Sequence, residues 1–166
     1  MPFTPFHFGP AACVSLPLRQ NIDTPVFILV SLAVDIEPLA VMLFGLRYPL
    51  HGYAHTLLGS AIVGLVFGAL GYRFSAQLER GMSRLRLEYR RGLGKSLLSG
   101  VAGAWMHVIM DAFLYNDLQL MYPYPGNQLL GMISMPTMYL ACGIAFLPAL
   151  ALYFACRGTA TKYPIS

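Results

Sequence analysis

Three carboxylates interrupt apolar segments long enough to cross a bilayer, and no Lys or Arg shares those segments to neutralise them. Asp35 and Glu37 lie within VFILVSLAVDIEPLAVMLFGL, and Asp111 lies within SLLSGVAGAWMHVIMDAFLY. An Asp at the centre of a membrane helix costs about 2.5–3.5 kcal/mol even on the lenient insertion scale, so such groups are compensated and mark functional sites. Protons or a metal must supply the compensation, because the only other ionisable residues near these acids are histidines.

Composition supports reading the segments as spans. Of 166 residues, 57% are hydrophobic and 11% charged, against about 25% charged in an ordinary soluble domain. The pattern predicts one all-α membrane domain over residues 1–166, a helical bundle of four transmembrane helices at about 25–46, 50–72, 96–115 and 133–155, each near the ~20 residues a crossing needs. The N-terminal run Phe8–Leu18 rises only about 16 Å and suits a half-crossing or re-entrant helix, with Pro10 in its first turn.

Seven of the eleven basic residues fall between Arg73 and Lys95, against Glu79 and Glu88. The positive-inside rule places this basic loop, 73–95, in the cytoplasm. The chain is then integral to the cytoplasmic (inner) membrane, with the 47–53 and 116–132 loops outside and the C-terminal tail, carrying Arg157 and Lys162, back in the cytoplasm. A net charge of +4 is thus a topology signal and an attraction for anionic membrane lipids; no nucleic-acid partner is expected. Leu78, Met82, Leu85 and Tyr89 fall near helical spacing, which permits an amphipathic surface helix there. Cys13, Cys142 and Cys156 stand apart in apolar surroundings and read as packing thiols. Gly64 and Gly68 allow close helix approach, read as internal packing.

The histidines number four, and all can reach the acids. Counted from the cytoplasmic ends, Asp35 lies roughly 14 Å up its span and His107 and Asp111 roughly 17 and 23 Å up theirs. The half-crossing lifts His7 to mid-membrane, and His51 and His55 sit at the outer end of the second span. His51 with His55, and His107 with Asp111, are spaced i, i+4, which puts each pair on one face of a helix. Pro38 can kink the first span and open the Asp-x-Glu-Pro turn, so that both acids face inward. Otherwise Asp35 is the ligand and Glu37 grips an imidazole N–H behind it. Tyr115 and Asn116 are placed to line the mouth of the site. Imidazole nitrogen and carboxylate oxygen without thiolate suit a divalent metal, zinc first, with manganese or iron as alternatives. The candidate metal ligands are His7, Asp35, Glu37, His51, His55, His107 and Asp111, with Glu37 or Asp111 as general base.

The stretches MPFTPFHFGP, SLAVDIEPLAV, HGYAHTLLGS and HVIMDAF, followed by a Pro-rich loop, resemble the YdjM-like membrane-bound metal-dependent hydrolases, a family of bacterial and archaeal membrane proteins. That family is distantly similar to the helical zinc-dependent phospholipase C and nuclease superfamily. The resemblance implies that His7, Asp35, His51, His55, His107 and Asp111 are ligands, with Glu37 near them. Many relatives carry an Arg where this chain has Gly52 and a His where it has Tyr115; an Arg would bind a phosphate oxygen, so its absence weakens the case for a phosphoester.

The reading reached is a membrane-embedded metal-dependent hydrolase acting on an ester or phosphoester of a lipid or amphiphile through metal-activated water. One competitor is a non-catalytic, metal-stabilised subunit of a larger membrane protein complex. A lesser one is a haem-binding membrane protein, which would need His55 and His107 on opposite faces of the ring.

Overall fold

The structure is a computed structural model that describes residues 5–157. Lys162 of the tail and the opening Met1–Thr4 lie outside the described residues, which are helical with no strand among them. A 3-10 turn over Pro5–His7 leads into α1 (Phe8–Ser15), followed by α2 (Thr24–Ala33) and α3 (Ile36–Phe44). A second 3-10 turn, Tyr53–His55, precedes α4 (Leu57–Arg73); then come α5 (Ser75–Arg84), α6 (Leu93–Ala112) and α7 (Met135–Arg157).

Two helical stretches are long and apolar enough to cross a membrane: Thr24–Phe44, which runs through α2 and α3, and α7. A third counts if α4 and α5, bent by 75° at Phe74, form one broken span. The four spans expected from sequence are therefore reduced to two or three, for two reasons. The Thr56 hydroxyl accepts from the Gly59 N–H and starts α4 at Leu57, not Leu50. That leaves 17 residues, a rise of about 26 Å. In α6, apolarity is given up to Lys95, to Ser96 and Ser99, and to His107 and Asp111, all but the lysine buried.

The interior holds the polar groups. Ser15, Ser31, Ser60 and Ser96 are fully enclosed, while Leu43, Leu98 and Leu147 are 70%, 74% and 70% exposed. A soluble domain distributes these residues the other way round, so the outer surface is matched to hydrocarbon.

Packing centres on α6. Val26 and Val30 of α2, with Val34 just past its end, meet Ala104, Val108 and Ala112 of α6; both rows are spaced four apart, so each side offers one ridge to the other. On the next face α6 meets α4 almost backbone to backbone: a Cβ on Gly64 would come within 2.7 Å of Gly100, and one on Gly68 within 2.7 Å of the Ser96 carbonyl. The expected Gly64/Gly68 seam is thus internal. α7 packs mainly on α1.

Below the core, fully buried Asp23 caps α2 and accepts hydrogen bonds from Tyr89 and Ser96. This network straps the segment after α5 to the bundle; burial, with Asp23 beside it, pushes the Tyr89 phenol up. The basic stretch is accordingly a built element, α5 with Met82 packed against Leu16, Leu87 and Cys156.

Candidate metal centre

The break between α2 and α3 follows from Pro38. A proline has no N–H for the carbonyl four residues back, and its ring crowds that carbonyl; here that carbonyl belongs to Val34, which instead accepts from the Glu37 N–H at 3.3 Å. The chain turns at Asp35 and restarts at Ile36. Asp35 thereby sits at a helix joint inside the bundle, 3% exposed.

Two further elements bring their side chains to this joint. His55 closes its 3-10 turn fully buried, and α6 supplies His107 and Asp111 from successive turns. His107 Nε2 lies 3.3 Å from Asp35 Oδ1 and 3.3 Å from Asp111 Oδ2. His55 Nε2 lies 4.0 and 3.9 Å from the same two oxygens. Donors about 2.1 Å from a tetrahedral ion stand about 3.4 Å apart, so these separations are of the order that four ligands around one small ion require.

Well-aligned hydrogen bonds do not fully account for this convergence: Asp35 Oδ2, His55 Nε2 and both His107 nitrogens are buried and make none, although His107 Nε2 stands within ion-pair distance of both carboxylates. Orphaned polar atoms of that kind carry a desolvation cost of about 1–3 kcal/mol each, which coordination would remove. The buried group Asp35, His55, His107 and Asp111 can hold a metal ion.

A second layer orients it. Glu37 Oε2 accepts from His55 Nδ1 at 3.0 Å and from the Gly52 N–H at 3.1 Å, while Oε1 takes the Ala54 N–H at 3.1 Å. With its proton held on Nδ1, His55 turns a lone pair on Nε2 toward the cluster. Of the two roles open to Glu37, this is gripping an imidazole; its oxygens are engaged, so it is poorly placed as a general base. His7 Nε2 approaches Asp111 Oδ1 at 3.4 Å, and its ring lies 4.3 Å from that of His107.

His51 stands at the edge. Its Nδ1 is 2.9 Å from Asp117 Oδ1, its ring 4.9 Å from that of His55 and 4.1 Å from Tyr115. The expectation of one helix face for His51 and His55 is corrected: both precede α4, and loop geometry, not i, i+4 spacing, brings the rings together. His107 and Asp111 do share a helix face, as expected. Asp117 was missed, since a lone acid in a Pro-rich loop has no periodic signal. Burial, which would raise its pKa, is outweighed by hydrogen bonds from the His51 ring and backbone, and its carboxyl is held below the usual range.

Two openings reach the cluster's surroundings. A crevice with about 10 Å³ of free space, hardly enough for one water, is walled by Phe6, Leu114, Tyr115, Met138 and Tyr139, with His7 and Asp111 at its base. A wider mouth of about 530 Å³ runs past His51 and Asp117 between Tyr48, Tyr53 and Tyr122.

Fold and site together define an all-helical protein with candidate membrane-spanning helices and a buried His/Asp group able to bind a metal ion. No family model, no curated protein and no solved structure matches the chain.

Proposed function

We propose that the protein is a membrane-embedded, metal-dependent hydrolase acting on an ester or phosphoester of a lipid or amphiphile, as its resemblance to the YdjM-like family implies. The observation that supports the reading is the convergence of buried Asp35, His55, His107 and Asp111 donors, with a mouth lined by His51 and Asp117 beside them. A purely structural ion needs no mouth. Asp35, His55, His107 and Asp111 would hold the ion, zinc by preference for this nitrogen and oxygen set. Such an ion supplies a Lewis acid and lowers the pKa of water toward ~7. The chain's own groups do the rest: Glu37 and Asp117 orient His55 and His51, and the packing of α2 against α6 excludes bulk water from the far side.

In this reading α4 and α6 also cross the membrane, giving four crossings. Arg73–Lys95 lies in the cytoplasm, the site faces the extracytoplasmic half and the C-terminus is cytoplasmic. Against haem, the His55 and His107 rings are 5.6 Å apart with two carboxylates beside both Nε2 atoms, which leaves no space for a porphyrin. One observation favours the second reading, a non-catalytic subunit: α7 is only 17% buried over its apolar window, a face open to partner subunits as well as lipid.

The test is metal content by plasma mass spectrometry on detergent-purified protein, wild type beside His107→Ala/Asp111→Ala, followed by a screen of ester and phosphoester amphiphiles. Stoichiometric zinc, manganese or iron lost in the variant, with turnover in the wild type, is expected. Metal without turnover on any substrate class favours the subunit reading, and a metal-free wild type refutes both.

A further inference from the structure

We infer that the group cleaved beside the cluster is uncharged, a carboxylic ester or amide of an amphiphile, and that Tyr115 donates to its carbonyl oxygen. The inference rests on the hydrolase reading and narrows it.

Charge is the first argument. Asp35 and Asp111 neutralise a divalent ion, so a phosphodiester would bring an uncompensated negative charge into a buried site, at a cost of several kcal/mol unless a cation meets it. Enzymes that transfer phosphoryl groups supply that cation with Arg or Lys clamps or with a further metal ion, and a single ion neutralised by two carboxylates has no charge to spare. Among the described residues, no Lys or Arg lines either opening. The wider mouth carries Asp117 instead, which repels an anion. Arg47 is exposed beside the mouth residue Tyr48 but is not part of the lining, and seven of the eleven basic residues belong to the stretch 73–95.

The second argument is what the walls do offer. Tyr115 follows Asp111 by four residues, lines the narrow crevice beside Tyr139 and stacks on His51 at 4.1 Å. A phenol O–H can meet the negative charge that develops on one carbonyl oxygen, whereas one neutral donor cannot balance a phosphate that is charged from the start. The reaction balances with water alone. The water oxygen bonds to the acyl carbon, the acyl C–O or C–N bond breaks, one water proton goes to the leaving oxygen or nitrogen, and the carboxylic acid formed releases the other to solvent.

The test uses full-length, zinc-loaded protein in a neutral detergent and two non-hydrolysable probes of equal chain length, 1-O-dodecylglycerol and the phosphate analogue dodecylphosphonate, whose C–P bond water does not cleave. Binding is read as the concentration dependence of Tm. Turnover is read in parallel on monododecanoylglycerol and bis(p-nitrophenyl) phosphate. The glycerol ether is expected to bind at least about tenfold more tightly than the phosphonate, and the ester to be the faster substrate by a similar factor. Tyr115→Phe should lower kcat on the ester by about tenfold to a hundredfold with KM and zinc content unchanged, a split that a loss of packing would not produce. Preferential binding or cleavage of the phosphorus compounds overturns the inference and leaves the hydrolase reading standing. Turnover of neither class, with the glycerol ether still preferred, refutes the hydrolase reading and upholds the choice of an uncharged ligand.

Discussion

Glu37→Gln probes the claim that a carboxylate outside the four-donor group sets the metal affinity. The Glu37 oxygens accept from Ala54 N–H and Tyr48 O–H on one side and from Gly52 N–H and His55 Nδ1–H on the other, at 3.0 to 3.3 Å. A glutamine keeps one carbonyl oxygen. If it faces His55 and Gly52, its NH2 is set against the Ala54 N–H; if it faces Ala54, two donors including the imidazole lose their acceptor. Losing a hydrogen bond to a charged acceptor costs about 1.5–3 kcal/mol. Removing the orienting partner of a ligating His weakens metal binding by about 10–100-fold, which is about 1.4–2.8 kcal/mol, so two independent routes give the same range. The assay is competition for zinc against a chromophoric chelator, with circular dichroism to confirm that the helices persist. Asp117→Asn, which acts on His51 outside the four-donor group, should cost less. A Glu37→Gln protein that folds and binds zinc within about threefold of wild type would refute the argument, because His55 would then not depend on Glu37 for its tautomer.

Stripping the metal with a chelator should lower Tm in the wild type, by the equivalent of about 2.7 kcal/mol if free ion had stood at a hundred times Kd; His107→Ala/Asp111→Ala should not respond. Gly100→Val places a Cβ within 2.1 Å of the Gly64 carbonyl oxygen and should abolish monodisperse protein in detergent chromatography, whereas Gly81→Ala, with nothing within 4 Å, should leave the elution profile unchanged. Asp23→Ala removes the α2 cap and leaves Tyr89 and Ser96 without their acceptor. It should cost about 2–3 kcal/mol and speed tryptic cleavage at Arg86, Arg90 and Arg91, read by gel. Thr56→Ala should cost about 1 kcal/mol in thermal unfolding through loss of the α4 cap.

The sequence made the site more legible than the scaffold. Ionisable groups in apolar segments are costly, so their positions alone mark a site, and His7, Asp35, His55, His107 and Asp111 do meet. The Pro38 break was readable too, because proline's missing N–H acts locally. What failed was periodicity across a loop: His51 and His55 have helical spacing, yet Pro49, Gly52 and the capping Thr56 were the better signals that no helix runs there. The four crossings were legible only in part, two or three stretches being long and apolar enough, since α6 buries polar residues against its neighbours and so loses the hydropathy that marks a lipid-facing helix. Asp23 and Asp117 act through partners 66 residues away in sequence, a separation that no local pattern encodes.

The four-donor group draws on residues 35, 55, 107 and 111. A chain emerging from the ribosome therefore presents Asp35 and His55 long before it can offer His107 and Asp111, and two donors hold a dication weakly. The group able to hold an ion therefore does not exist until α6 has packed against α2, so any ion it takes is captured by a folded core and not by a growing chain.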